Sequence, residues 1–273
     1  MSDTALESAL RRDRVIVLAA IAVLTATAWG YTIWLADDMS MGGMDMTGFR
    51  MIPAGAGWMM PAAAPWSAIE FVLMFVMWLA MMVGMMTPSA APMILIYARV
   101  GRQAAVQGKP LAATGWFVGG YLLAWAGFSL FATMGQWGLQ RTALLTPTMA
   151  SASGVFGGLV LIAAGLYQWT PLKDACLSHC RAPLLFIQQH GGLRRDAPGS
   201  FGLGVRHGRY CIGCCWVLMA LLFVGGVMNL LWIAAIAVFV LAEKVVPGGR
   251  VLARLAGAGF VAAGVWLLVA PTS

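Results

Sequence analysis

The chain has 273 residues, of which 61% are hydrophobic and only 10% charged, and its mean hydropathy is +0.83. This composition excludes an ordinary soluble domain and predicts an integral membrane protein with one membrane domain. The net charge of +7 would suit a nucleic acid, but the basic residues are shared evenly among the predicted loops. We therefore do not expect a nucleic-acid partner.

The apolar runs predict an all-α polytopic membrane protein with about seven transmembrane helices. After a cytosolic N-terminus at residues 1–14, residues 15–35 form a retained first helix, because the run is too long for a signal peptide. A Met-rich outer loop at residues 36–65 is followed by a six-helix membrane domain at residues 66–273. The first predicted helix of that domain begins at residue 66. The other five cover residues 111–137, 151–169, 211–227, 229–246 and 255–270. An inner Cys/His loop lies at residues 170–210.

The basic residues give the orientation of these helices. With the N-terminus inside, the outer segments hold only Arg50 and Arg141, and the other 15 Lys and Arg residues fall in inner segments. This asymmetry predicts an N-terminus inside and a C-terminus outside. The six helices after the first also divide into two groups of three, which predicts an inverted 3+3 repeat.

The outer loop carries the first group of candidate metal ligands. Four methionines fall within eight residues, flanked by acidic residues: Met39, Met41, Met44 and Met46. Thioether sulfur is a soft, uncharged ligand that selects Cu(I) or Ag(I) over zinc and magnesium. The pattern therefore predicts a capture site for a soft metal ion. The alternative is a flexible loop whose methionines touch the bilayer surface.

The second predicted helix carries a methionine stripe. Its members recur at helical spacing on one face: Met74, Met77, Met81 and Met85. The following residues, Thr87-Pro88 and Pro92, are predicted to break the helix, and irregular backbone at membrane depth favours a site lining a cavity. We predict Met81, Met85 and Met86 as transit ligands; the alternative is a stripe that only fills the core. Glu70 is either a functional residue at membrane depth or an ordinary interfacial one.

The third group of candidate ligands lies in the predicted inner loop and at the start of the fifth helix. All five cysteines fall between residues 176 and 215, and two of the three histidines, His179 and His207, lie near them in the sequence. The predicted acceptor ligands are Cys176, His179, Cys180, His207, Cys211, Cys214 and Cys215. Thiols stay reduced in the cytosol, so this clustering indicates metal or redox chemistry, with Cu(I) favoured and zinc acceptable. The alternative is that the cysteines are small buried apolar residues.

The sixth predicted helix has polar residues at both of its ends. Glu243 and Lys244 at its end are expected to be an interfacial pair whose side chains extend to water. Asn229 at its start is expected to cap a hairpin or to bond across helices. The sequence contains no phosphate-binding glycine loop, and it shows no nucleophile–base pair outside the cysteines. These observations favour a non-enzymatic role.

Three motifs resemble a known family. They are M-x-G-M-M-x-P-S-x-x-P-M in residues 82–93, the C-x-x-H-C of residues 176–180, and H-G-x-Y-C-x-G-C-C-W in residues 207–216. Together they resemble bacterial integral membrane proteins described only as predicted metal-binding proteins of unknown function. The resemblance implies a metal role and a multi-pass location in the bacterial inner membrane. The spacing of helices also resembles the membrane domain of thiol-reducing electron carriers, but the paired Cys-Pro signatures of that group are missing.

The sequence therefore predicts a copper(I)-handling membrane protein. The outer methionines would capture Cu(I), the second helix would pass it inward, and the inner Cys/His cluster would receive it. One rival is a membrane thiol relay that uses Cys214 and Cys215 against Cys176 or Cys180. A second rival is an assembly subunit of a larger membrane complex or a partner of a copper-dependent protein.

Overall fold

A computed structural model describes residues 3–39, 49–53, 59–61, 64–108, 112–146 and 149–270. In this part of the chain the helices are α1 (Asp3–Met39), α2 (Ala68–Val106), α3 (Thr114–Arg141), α4 (Gly154–Tyr167), α5 (Pro171–Arg181), α6 (Pro183–Gln189), α7 (Ala197–Ala220), α8 (Leu222–Gly225), α9 (Leu230–Val245) and α10 (Gly249–Val269). Two short strands, β1 (Phe49–Met51) and β2 (Met59–Pro61), form an antiparallel hairpin. The predicted helical class is confirmed.

Five helices in the described ranges are long and apolar enough to cross a membrane: Arg14–Met39, Ala68–Val106, Thr114–Arg141, Ala197–Gly225 and Gly249–Val269. The pair α4 and α5, which is bent by 65°, would give a sixth span if it crosses as one unit. α9 has 16 residues and is shorter than these spans. The number seven, the orientation and the inverted repeat stay predictions.

The predicted break in the second helix is wrong. α2 runs without interruption from Ala68 to Val106 and holds Pro88 and Pro92 inside it. Two hydroxyl groups bond the carbonyl oxygen of Met86 in the preceding turn, that of Tyr121 at 3.0 Å and that of Ser89 at 2.8 Å. α2 is packed against α1, α3 and α9, and membrane helices tolerate proline where neighbouring helices surround them. At 1.5 Å per residue the helix is about 58 Å long, about twice the thickness of a bilayer core.

The predicted outer loop has structure at both of its described ends. α1 continues to Met39, and the β1–β2 hairpin is joined to α2 by an ion pair between Arg50 and Glu70. The guanidinium binds both carboxylate oxygens, at 2.6 and 2.9 Å, and also donates to the carbonyls of Pro61 and Ala64. Both charged side chains are buried. Glu70 therefore anchors the hairpin.

The predicted inner loop is also largely helical. α5 and α6 occupy residues 171–189, and α7 begins at Ala197 instead of at residue 211. A proline in the first turn and the Asp196 side chain, which accepts a bond from the backbone of Gly199, start α7 early. The cysteines of residues 211–215 consequently lie deep inside a helix.

Glycines bring α3 and α7 into backbone contact. A Cβ atom on Gly120 would lie 2.0 Å from the carbonyl oxygen of Phe201, and one on Gly204 would lie 2.0 Å from that of Phe117. Only glycine allows this approach, as in other closely packed membrane helices. The contact fixes the position of α7, which carries three cysteines and His207.

Candidate metal site

Five sulfur atoms from three helices meet in the core of the bundle. We name this group the sulfur cluster, and its members are Met86 of α2, Cys180 of α5, and Cys211, Cys214 and Cys215 of α7. All five side chains are buried, and all five cysteines of the chain are free thiols. Cys211 and Cys215 are one helical turn apart, and both Cys214 and Cys215 donate to the carbonyl oxygen of Cys211.

Two contacts between helices have the spacing that a shared metal ion needs. The sulfur atoms of Cys180 and Cys214 are 4.0 Å apart, and the sulfur atoms of Met86 and Cys215 are also 4.0 Å apart. Metal–thiolate bonds of about 2.3 Å, the zinc value, allow two sulfurs on one ion to lie up to about 4.6 Å apart. The separation within each pair is compatible with two ligands of one ion.

A buried lysine lies beside the sulfur cluster. The Nζ atom of Lys244 on α9 lies 2.9 Å from the Cys211 sulfur and 2.9 Å from the hydroxyl of Ser89. Lys244 is only 7% exposed. The expectation that Glu243 and Lys244 reach water is therefore wrong. The reason is that α5 and α7 cover this end of α9 and give each charge a buried partner.

The partner of Glu243 is Lys173 at the start of α5. The Lys173 ammonium lies 2.9 and 2.8 Å from the two carboxylate oxygens, and the Gln168 amide donates to the same carboxylate at 3.2 Å. Arg181 at the end of α5 donates to the backbone carbonyls of Glu243 and Val246. These bonds hold α5 against α9 at both of its ends. They thereby fix Cys180 against α7.

Two ring side chains border the sulfur cluster. The Tyr121 hydroxyl lies 3.3 Å from the Cys211 sulfur and donates to the Met86 carbonyl, so it joins α7 to α2. His207, one turn before Cys211, is buried with its ring centroid 5.8 Å from that of Tyr121 and 5.2 Å from that of Phe186. Its Nδ1 atom has no hydrogen-bond partner among the described residues. His207 is thus a neighbour of the cluster with a free ring nitrogen.

The structure does not bring His179 to the sulfur atoms. Its Nδ1 atom contacts the Ala175 carbonyl at 2.8 Å, and its ring stacks on Tyr210 with centroids 4.2 Å apart. Cys176, on the same helix, faces α7 instead, where a Cβ atom on Gly213 would lie 2.7 Å from its sulfur. α7 therefore contacts both residues, but His179 meets the ring of Tyr210 and not a sulfur atom.

Cys176 gives the site a connection to the outside. It lines an open cavity of about 480 Å³ together with His190, Arg206, Arg209 and Tyr210. Both arginines are exposed, so the cavity is positively charged at its mouth. Cys176 thus lies between this cavity and the buried thiols of α7.

The predicted methionines divide into three groups. Met81 and Met85 are buried on α2 with Met86, and only Met86 has a sulfur contact in the described residues. Met39 is buried at the end of α1 and lines a different cavity. Met41, Met44 and Met46 lie outside the described residues. Capture by the outer methionines therefore stays a prediction.

The ligand chemistry of the sulfur cluster is soft. Within the described ranges, no three His, Cys, Asp or Glu side chains are grouped so that they could hold a metal ion. The cluster instead combines thiols with a thioether and a positive charge. Thiolate and thioether ligands together favour Cu(I), whereas zinc sites are built from thiolate, imidazole and carboxylate ligands.

The fold is a helical bundle in which buried sulfur side chains from three helices lie together. Residues 75–267 match the PpoB2 family, which is described as a copper chaperone family, and the chain belongs to this family. The matched residues include the whole sulfur cluster and Lys244. No curated protein and no solved structure matches the chain.

Proposed function

We propose that this protein is a membrane-embedded copper chaperone that binds Cu(I) as cargo at the sulfur cluster and passes it to a partner. The observation that carries the proposal is the meeting of one thioether and four thiols from α2, α5 and α7, with two sulfur pairs at 4.0 Å. Membership of a copper chaperone family supports the identity of the cargo. The five long apolar helices support a location in the membrane, which we propose is the bacterial inner membrane.

Lys244 gives a reason for a sulfur cluster that is stable without its cargo. Thiolates bind metal ions better than thiols, and a thiolate buried without a counter-charge is costly. The ammonium 2.9 Å from the Cys211 sulfur supplies that charge in the empty protein. When Cu(I) arrives, a second thiol releases its proton to solvent, so that a second thiolate balances the charge of the ion. The cluster can therefore change between empty and loaded states without unfolding.

The cavity beside Cys176 supports transfer at one side of the cluster. Cu(I) moves between proteins by exchange of sulfur ligands, and Cys176 is the thiol that reaches a cavity open to the outside. The ion would pass from Met86 and Cys215 to Cys180 and Cys214, and from there to Cys176. Release to a partner would then occur by ligand exchange at Cys176.

A competitive titration tests the proposal. The purified protein, in detergent and under reducing conditions, is titrated against a coloured Cu(I) chelator. We expect tight binding, weakened by Cys214→Ser and by Met86→Leu. The control is Met93→Leu, because Met93 is equally buried on α2 and no cysteine thiol bonds its sulfur in the described residues. Absence of tight binding in the wild-type protein would refute the proposal.

A thiol relay is the second candidate function, and the contact between Cys180 and Cys214 favours it. Their sulfurs are 4.0 Å apart, and formation of a disulfide would need only a modest approach. A relay predicts that this disulfide forms during turnover and that activity continues in the presence of a Cu(I) chelator. Mass spectrometry after rapid thiol blocking separates the two functions, because a copper chaperone keeps both thiols reduced. The role of an assembly subunit stays a prediction.

A further inference from the structure

A buried glutamine holds two thioethers at a place distant from the sulfur cluster. The Gln136 amide nitrogen on α3 donates to the Met149 sulfur at 3.1 Å and lies 3.5 Å from the Met74 sulfur. All three side chains are fully buried. The two sulfurs are separated by at most the sum of these distances, 6.6 Å. Lone pairs of two thioethers therefore point at one position, which the amide nitrogen occupies.

The orientation of the amide is fixed by a tryptophan. The indole nitrogen of Trp78 donates to the Gln136 oxygen at 2.6 Å, so the NH₂ group must face the methionines. Thioether sulfur is a weak hydrogen-bond acceptor, and a buried amide gains little from such partners. The glutamine oxygen gives the buried Trp78 indole its acceptor, but among the described residues the NH₂ group has only these two weak acceptors. A soft cation would be a better partner for the two sulfurs than the amide is.

A cavity adjoins this position. Three further methionines, Met39, Met51 and Met228, line a space of about 280 Å³ together with Ala150, the residue after Met149. The backbone carbonyl of Met149 accepts a bond from Val227, next to Met228. Three methionine side chains therefore line a cavity next to the segment that contains Met149 and Ala150. The composition of its lining suits a soft monovalent ion.

This position is separate from the sulfur cluster. Met74 and Met86 are twelve residues apart on α2, which corresponds to about 18 Å along the helix axis. The two groups share no side chain. Between them the helix presents buried methionines at Met77, Met81, Met82 and Met85.

We propose a second Cu(I) site, in which Met74 and Met149 are the ligands and the cavity lined by Met39, Met51 and Met228 gives access. Gln136 holds the two sulfurs in place in the empty protein and turns aside when the ion binds. Its ligands are uncharged, so the charge of a bound ion stays uncompensated, and this site binds Cu(I) less tightly than the thiols do. The inference rests on the proposed function, since it makes this site the step before the sulfur cluster.

The test uses the whole protein and the same chelator titration, continued beyond the first equivalent of Cu(I). We expect a tight first phase from the sulfur cluster and a weaker second phase. Met149→Leu and Met74→Leu should remove the second phase and keep the first, whereas Met93→Leu should keep both. Gln136→Met adds a third thioether and should move the second phase to lower free Cu(I), a gain that a purely structural glutamine would not give.

The outcomes separate the two proposals. Absence of the first phase would refute the proposed function itself. A first phase without a second, or a second phase that Met149→Leu leaves unchanged, would overturn this inference alone. If Met74→Leu fails to fold, the Gln136→Met result decides, because unchanged binding by a folded Gln136→Met protein also overturns the inference.

Discussion

The contact between Lys244 and Cys211 makes the sharpest prediction about stability. The lysine ammonium has two polar partners in the described residues, the Cys211 sulfur and the Ser89 hydroxyl, each at 2.9 Å. Cys211→Ala removes the sulfur and leaves a buried charge with one neutral partner. Removing one member of a buried charge pair costs about 3–5 kcal/mol, and we expect a loss of this size in the free energy of unfolding.

A second substitution separates this charge effect from lost packing. Lys244→Met replaces the ammonium by an apolar side chain of similar length, so Cys211→Ala no longer leaves a charge unpaired. The double variant should therefore be more stable than Cys211→Ala alone, with a coupling free energy of about 2 kcal/mol. The assay is unfolding of the copper-free protein in one detergent, followed by tryptophan fluorescence. Cys176→Ala, combined with Lys244→Met, is the control and should give additive effects. Additive effects for Cys211→Ala and Lys244→Met would refute the reasoning.

Two further predictions concern the helix contacts that position the sulfur cluster. Gly120→Ala places a Cβ atom 2.0 Å from the Phe201 carbonyl oxygen and should lower the free energy of unfolding by at least about 1–3 kcal/mol. The control is Gly127→Ala on the same helix, whose Cβ atom meets nothing within 4 Å and which should be neutral in the same unfolding assay. Glu243→Gln leaves the Lys173 ammonium without its counter-charge and should cost about 3–5 kcal/mol, and adding Lys173→Met should recover most of that loss. Equal midpoints for the two glycine variants, or no recovery in the double variant, would contradict these contacts.

The sequence was sufficient to predict the helical class and a copper-related role. Hydrophobic runs placed most of the long helices, and the concentration of all five cysteines between residues 176 and 215 indicated thiols as candidate ligands. Membership of a copper chaperone family agrees with the predicted copper role at that general level. Local spacing gives the face of a helix, but it does not give the neighbour that covers this face. His179 shows the consequence, since it has the right spacing and stacks on Tyr210 instead.

The charged residues of the core were the hardest to predict. A lysine at the end of an apolar helix usually extends to water, so nothing local indicated that Lys244 reaches Ser89 and Cys211, which are 155 and 33 residues away in the chain. The available signal was weak: Glu243 and Lys244 end an otherwise uncharged run. The prolines gave the opposite error, because they predicted a break in a helix that continues. A local rule predicts a break at Pro88, but the helices packed around α2 allow it to continue.

X-ray absorption at the copper edge, measured on the protein loaded with one equivalent of Cu(I), identifies the ligands of the bound ion. We predict a coordination shell made only of sulfur, which loses sulfur ligands in the Cys180→Ser/Cys214→Ser variant. A shell that contains mainly nitrogen or oxygen, or one that this double substitution leaves unchanged, would contradict the claim that copper is bound where α2, α5 and α7 meet.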